Sequence, residues 1–270
     1  AIKYSFMIIK KMLIFRPKLV YFTPMPTGFG FYRDAFYVFI LKMFNVKVIL
    51  HLHGKGVRKN NKNYINRTLY KYVFHNIHVI CLSEILSKDI SDVYEGNPLI
   101  IQNGISKHPF RRSITSTDCN DFPQILYLSN YTVNKGIFEL IKALEILKNK
   151  GYKFSARFVG APFDVTVERL KQFISEQNLN GIAEVIGPLT GNDKYLEFQR
   201  ADLFVYPTYN DAFPLVILEA MQFGLPVVST FEGGIPDMVI DNETAVLVES
   251  QNLPILVDKI AYLLDDKTRR

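Results

Sequence analysis

The chain is poor in cysteine and holds no long apolar run, and each shortage narrows what it can be. Only Cys81 and Cys119 occur in 270 residues. Two cysteines in no metal-like spacing build neither a disulfide framework nor a zinc site, which fits a reducing, cytoplasmic compartment. Cys81 sits inside an apolar run and reads as a small core residue. No apolar stretch reaches the roughly 18 residues that span a bilayer. The opening stretch, 1–22, is apolar but broken by Lys3, Lys10, Lys11, Arg16 and Lys18. It lacks a small-residue cleavage site and does not read as a signal peptide. No strand is followed by Gly-x-Gly-x-x-Gly, which argues against a NAD-dependent oxidoreductase. Solenoid repeats and low-complexity segments are also missing. The surroundings of Asp193 and Asp202 offer no paired metal-binding spacing, so no metal and no resident cofactor is expected.

What is present is an ordinary globular composition, 48% hydrophobic and 21% charged. At roughly 100–200 residues per domain, that length holds one or two domains. The net charge of +6 conceals an asymmetry. Through Arg112 there are 18 Lys and Arg against 5 Asp and Glu, or +13; the remainder carries 14 against 21, or −7. A basic first half attracts anions, whether nucleic acid, phosphorylated small molecules or acidic lipid headgroups. A solvated basic face is the plain alternative. No nucleic-acid reading motif accompanies the charge, so nucleic acid is not expected as a partner.

Both halves alternate short β-branched apolar runs with longer amphipathic segments, the pattern of β-α units on a mostly parallel sheet. The first half predicts strands at 19–23, 47–52, 77–82 and 99–101. Helices are predicted at 31–44, 64–75 and 84–94, with Ser83 as an N-cap. From about 106 to 122, Pro109, Arg111, Arg112 and a polar cluster read as a linker. The second half predicts strands at 124–128, 154–159, 183–186, 203–206, 226–229 and 245–248. Helices fall at 137–149, 165–177, 193–200, 213–223 and 253–264. The domains are therefore placed at 1–110 and 111–270. The chain opens on Ala in mid-element and ends on Lys267-Thr268-Arg269-Arg270, and its first half has few strand–helix units. It is expected to be cut from a longer protein.

In open α/β sheets ligands bind beyond the carboxyl ends of the strands, so loops after strands are the informative positions. Ser129-Asn130-Tyr131-Thr132-Val133-Asn134-Lys135-Gly136 leaves a strand and enters a helix. It places an ammonium and free N–H groups where a phosphate could sit, unless Lys135 is only a surface lysine. In the segment from Tyr206 to Met221, Asp211 is expected as N-cap, with Glu219 about two turns on and on roughly the same side of the helix. Such a pair can grip sugar hydroxyls. Asp211 also reads simply as a cap. Glu219, embedded among Leu, Val and Ile, needs a partner if buried. Gly233-Gly234-Ile235-Pro236-Asp237 allows close backbone approach, with Pro236 in a first helical turn; read in isolation, a tight turn suffices.

In this order, the pieces resemble family 4 of the retaining glycosyltransferases, which have the GT-B fold. Asn130…Lys135-Gly136 is similar to the family's Arg-x4-Lys-Gly loop, and Asp211…Glu219 to its Glu-x7-Glu signature. Gly224-Leu225-Pro226-Val227-Val228 with Gly233-Gly234-Ile235-Pro236-Asp237 resembles its G-x-P-V-V…G-G-x-P-E run. Asp241 to Val248 resembles the closing D-G-x-x-G-x-L-V. In the first half His51-Leu52-His53-Gly54, Cys81-Leu82-Ser83-Glu84 and Gln102-Asn103-Gly104-Ile105 agree more loosely. The last resembles the hinge of these enzymes.

The resemblance implies two Rossmann-like domains facing across a cleft: an incomplete N-terminal acceptor-side domain and a C-terminal domain that binds the nucleoside-diphosphate sugar. It implies that Lys135 neutralises the donor diphosphate, helped by Asn130, Gly136 and the N–H groups of Phe213 and Leu215, Pro214 having none. Glu219 would hold the ribose, Asp211 hydroxyls of the transferred sugar, and Leu189 one side of the base. His53, beside Gly54, would approach the transferred sugar from the other domain. Asn130 stands where an Arg is usual, Asp211 is about one methylene shorter than the usual Glu, and the Gly-rich first loop is absent.

The implied activity is retaining, metal-independent sugar transfer to a glycan or lipid-linked acceptor in cell-surface polysaccharide biosynthesis. The expected location is cytoplasmic, with peripheral contact at the inner membrane face through the basic half. A glycosidase would leave the Lys-Gly loop idle. The alternatives are a nucleotide-sugar epimerase of related fold, or a non-catalytic sugar-nucleotide-binding protein.

Overall fold

A computed structural model describes residues 2–107 and 122–266. The chain divides into two compact units, Ala1–Asn103 and Gly104–Arg270. That division falls at the Asn103-Gly104 pair. The boundary expected at 110/111 lies outside the described residues, as do most of the expected linker, Cys119 and the four closing residues.

The first unit runs α1 (Ile2–Phe15), β1 (Leu19–Phe22), α2 (Gly28–Met43), β2 (Lys47–Leu52), α3 (Val57–Asn60), α4 (Tyr64–Phe74), β3 (His78–Cys81), α5 (Glu84–Ser87) and β4 (Leu99–Ile100). Its four strands pair in parallel in the order β1-β2-β3-β4. The β-branched and apolar content of β2 suits a parallel strand covered on its faces, and its buried Val48, Leu50 and Leu52 join Val79 and Cys81 of β3 in one core. Cys81 is indeed a core residue, and burial pushes its thiol up to about 12. Ser83 caps α5, its hydroxyl accepting from Leu86 N at 3.1 Å.

The helix expected over 84–94 breaks after one turn. Ser87 and Ser91 hydroxyls donate to the carbonyls of Glu84 and Lys88, at 2.7 and 3.0 Å, a local competition that weakens helices. Asp89 turns away and accepts from the N–H groups of Gly56, Val57 and Arg58 at 2.7–3.1 Å. Those bonds cap α3, which sequence pattern alone does not announce. The apolar opening stretch forms α1.

The second unit runs β5 (Gln124–Leu128), α6 (Ile137–Asn149), β6 (Ser155–Val159), α7 (Val167–Glu176), β7 (Ala183–Gly187), α8 (Gly191–Arg200), β8 (Leu203–Val205), α9 (Leu215–Gln222), β9 (Val227–Thr230), β10 (Val246–Val248) and α10 (Leu253–Asp265). The sheet is parallel, in the order β10-β9-β8-β5-β6-β7. Ile137, Leu140, Ile141, Leu144 and Leu147 bury one stripe of α6, and Leu256, Val257, Ile260, Leu263 and Leu264 one stripe of α10. Both follow the three-and-four spacing of a core-facing helix. The strand order reverses between β5 and β8, the switch point at which this class of sheet opens a crevice.

Candidate functional site

Three loops leave strands at the switch point or next to it, and hydrogen bonds tie them together. The loop after β5 is anchored by Tyr131, fully buried, whose hydroxyl donates to Phe158 O at 2.8 Å. Asp164 then accepts from Thr132 Oγ1 at 2.9 Å and Val133 N at 3.0 Å. The chain makes a 3-10 turn, Val133–Lys135, and enters α6 through Gly136 at φ 72°. A Cβ on Gly136 would lie 2.0 Å from the carbonyl oxygen of Pro207. Only glycine lets these two loops meet.

The loop after β8 is held from both sides. Asn134 O accepts from Tyr209 N at 3.1 Å and from Thr208 Oγ1 at 3.2 Å. Behind it, Ser229 Oγ donates to Tyr206 O at 2.7 Å. The loop after β9 adds Gly234 N to Ala212 O at 2.7 Å. Gly233 has φ 57°, and a Cβ there would lie 2.2 Å from Asp211 O. The paired glycines are thus explained by close backbone approach, and Pro236 stands in the 3-10 turn Ile235–Asp237.

This frame brings Lys135 and Asp211 together across 76 residues of sequence: Lys135 Nζ lies 2.5 Å from Asp211 Oδ2 and 3.1 Å from Asn210 O. Tyr206 OH donates to the same carboxylate oxygen at 2.7 Å. Burial first, and the Asp211 charge second, push the Tyr206 phenol up, so it stays a donor. The pair is only partly shielded, with side chains 22% and 17% exposed. An ammonium has three donors; two are engaged among the described residues.

Asp211 is not the N-cap expected of it. Pro214 occupies that position, with no side-chain cap, and α9 begins at Leu215 rather than at 213. The Asp211 carboxylate is drawn off by Lys135 and Tyr206, so Asp211 and Glu219 do not form a pair along one side of a helix. Phe213 and Pro214 are buried, and Leu215 is exposed. Without a side-chain cap, the first N–H groups of α9 are those a helix offers to an anion.

Glu219 has the partner that its apolar surroundings demanded. Lys194 Nζ, from α8, lies 2.6 Å from Glu219 Oε1, the side chains being 21% and 19% exposed. Neither Lys194 nor Tyr206 was legible as a site residue. A charge amid an apolar helix signalled that Glu219 needed a partner, and no pattern named which one. Leu189 is half-buried after β7, and Asn130 is exposed.

His53 and Gly54 belong to the first unit. There His53 is exposed after β2, its Nδ1 3.4 Å from Asn103 Nδ2. Its ring centroid lies 4.1 Å from that of buried His51, and Tyr21 OH lies 2.5 Å from His51 Nδ1. Burial first, then the neighbouring His53, lowers the pKa of His51. Among the described residues no group of three or more His, Cys, Asp and Glu is placed to hold a metal ion. None of the described helices is long and apolar enough to cross a membrane.

Residues 115–270 match the family described as Glycosyl transferases group 1. The chain belongs to that family. It is 26% identical over 208 residues to the capsular polysaccharide biosynthesis glycosyltransferase CapM of Staphylococcus aureus, a match over 71% of this chain and 53% of CapM. The chain therefore spans about half the length of this curated relative. Among solved structures, sucrose-phosphate synthase from Thermosynechococcus elongatus superposes with a TM-score of 0.82 at 21% identity, covering 99% of this chain and 69% of that one. Anabaena Alr3699/HepE, solved in complex with UDP, gives 0.78 at 18% identity, covering 98% and 73%. The fold of this group 1 member is the α/β GT-B fold.

Proposed function

We propose that this group 1 chain belongs to a retaining glycosyltransferase that moves a sugar from a nucleoside-diphosphate sugar to a glycan or lipid-linked acceptor, in cell-surface polysaccharide synthesis. The observation that carries the reading is Lys135, held at the switch point by Asp211 and Asn210 O. A diphosphate seated there meets a cation and the uncapped start of α9, where N–H groups and the helix dipole favour negative charge. Stabilising the leaving diphosphate is the main electrostatic work such a transfer asks of a protein. It is done here without a metal ion, by Lys135 and backbone donors around Phe213 and Leu215.

Tyr206 and Lys135 fix the Asp211 carboxylate, which takes hydroxyls of the transferred sugar. Lys194 fixes Glu219, which takes those of the ribose. Leu189 lies against the base, and Gly136 lets the loops meet. His53, beside Gly54, approaches the transferred sugar. Asn130 gives up one positive charge at the diphosphate, so the site leans on Lys135. The solved complex of Alr3699/HepE with UDP supports a uridine nucleotide as first choice. The capsular polysaccharide role of CapM supports a polysaccharide setting; the cytoplasmic face of a membrane is our own reading of where that work takes place.

Calorimetric titration of the chain with UDP, GDP and ADP, beside Lys135→Ala, tests the site. One nucleotide is expected to bind saturably, with affinity about tenfold or more lower in the variant, as for loss of a charged hydrogen bond. Failure of all three to bind a folded chain, repeated with a longer chain that extends beyond residues 1–270, would sink the reading.

A further inference from the structure

α2 is apolar on two sides. Its inner side, with Phe31, Ala35, Val38 and Leu41, is buried in the core of the first unit. Its outer side carries Phe29, Tyr32, Phe36, Phe39 and Met43, spaced alternately by three and four residues. That spacing is one continuous face of a helix. The exposure of these side chains runs from 45% at Phe39 to 94% at Phe29.

The face continues onto α4. Tyr32 OH donates to Asn66 Oδ1 at 2.9 Å, and the rings of Phe39 and Tyr72 lie 6.4 Å apart. Tyr64 and Ile65, 84% and 77% exposed, open α4 at the same end as Tyr32. A contiguous aromatic surface of this kind marks an interaction site, since single exposed apolar side chains are common but runs of them are not.

Its charge selects the partner. From Gly28 to Phe74 there are nine Lys and Arg and one carboxylate, Asp34. Asp34 is 2% exposed and engaged by Met25 N and Arg33. Within that segment no carboxylate is exposed; Arg33 is paired with Asp34 and Arg58 with Asp92 from beyond the segment, which leaves Arg67 and Lys71 of α4 as exposed cations beside the aromatics. A two-fold contact with a second copy would set the same cations against one another, whereas anionic headgroups neutralise them.

We propose that the outer face of α2 and α4 docks on the interfacial layer of an anionic phospholipid bilayer. Phe29, Phe36, Phe39 and Met43 enter the acyl boundary, and Arg67 and Lys71 meet headgroup phosphates. This rests on the lipid-linked acceptor reading for its purpose alone; the surface and its test do not pass through the nucleotide site.

The test is co-sedimentation of the 270-residue chain with vesicles of phosphatidylcholine alone and of phosphatidylcholine with phosphatidylglycerol, at low and at physiological salt. The chain is expected to sediment with the anionic vesicles and at least about tenfold less with the neutral ones, from several cations at roughly 1 kcal/mol each near an anionic surface. Phe36→Ser/Phe39→Ser and Arg67→Glu/Lys71→Glu are each expected to lower binding by about tenfold or more. Ile240→Ser, which removes a side chain 58% exposed in the second unit, should leave it unchanged. No binding of the folded chain to anionic vesicles would overturn the proposal, as would binding that survives both double variants. So would ultracentrifugation showing that Phe36→Ser/Phe39→Ser dissociates a dimer that ignores vesicles. Nucleotide titration of the same samples reads the other hypothesis separately: vesicle binding without nucleotide binding keeps this proposal and removes the donor site.

Discussion

The two units treat apolar surface in opposite ways. In the second, Phe158, Phe198 and Phe204 are fully buried, and the core takes in strands and helices across the whole sheet. In the first, more than half of all the exposed large apolar side chains of the described residues are found, including Phe6, Phe15, Phe29 and Tyr64. Strand order accounts for part of the contrast. The order β10-β9-β8-β5-β6-β7 reverses at its middle, and right-handed crossovers then put helices on both faces. The order β1-β2-β3-β4 never reverses, so its crossovers share one face and β1 stands at an edge with Leu19 and Tyr21 half exposed. Only a sheet that reverses has a switch point, and only there do Lys135 and Asp211 meet. The lesson is that similar β-α patterning yields a partly shielded cluster of charges in one unit and a row of exposed aromatics in the other.

The sharpest way to break this comparison is to delete one aromatic from each side of it. Phe158→Ala should cost the second unit about 3–5 kcal/mol, transfer and cavity terms together. Phe36→Ala should stay within about 0.5 kcal/mol. Urea melts followed by a probe in each unit measure both, and comparable losses would mean that the α2 face is buried in solution. Next in size is Gly233→Ala. A side chain at that positive φ would collide with Asp211 O, costing about 2 kcal/mol and displacing the loop that holds Asp211. Nucleotide affinity should fall in a chain that still folds; unaltered affinity would show that the loop after β9 does not support the site.

Lys194→Met sharpens the description of the second unit. Removing its ammonium leaves Glu219 without the partner that orients it. Affinity for a nucleoside diphosphate is expected to drop by about three- to tenfold, in keeping with a partly exposed ion pair. The ribose-free pyrophosphate should bind as before. Equal weakening of both ligands would assign Lys194 to the phosphates instead.

The smallest effect belongs to the first unit. His51 has its pKa lowered by burial and by His53, while the unfolded chain titrates near 6.5. Above about pH 6.5 both states are neutral and stability is full. As pH falls below that value the unfolded state takes up a proton that folded His51 resists, so stability declines. His51→Gln should flatten the decline between pH 7 and 5, and parallel profiles for the two proteins would remove His51 as its source.

Much of the frame was legible from local pattern. Strands 47–52 and 124–128 and the helix 137–149 appear with the bounds that their apolar periodicity predicts. Ser83 caps its helix as its chemistry suggests, because a cap depends on neighbours three residues away. Periodicity also placed the Lys135 loop and the Asp211 loop after strands of one sheet. It mistook Asp211 for a cap, since a carboxylate before a helix looks the same whether it bonds to that helix or to a lysine far along the chain. It showed that Glu219 needed a partner, because a charge in an apolar helix is costly anywhere, and could not name Lys194, which is 25 residues away. The break in the 84–94 helix had the same origin: Asp89 serves α3 more than 30 residues earlier. By itself the sequence determined which segments are strands and helices and which loops carry charge, since those depend on spacing within a few residues. Tertiary structure alone decided which charges meet and which aromatics stay in water, because both depend on strand order and on side chains that sequence distance keeps apart.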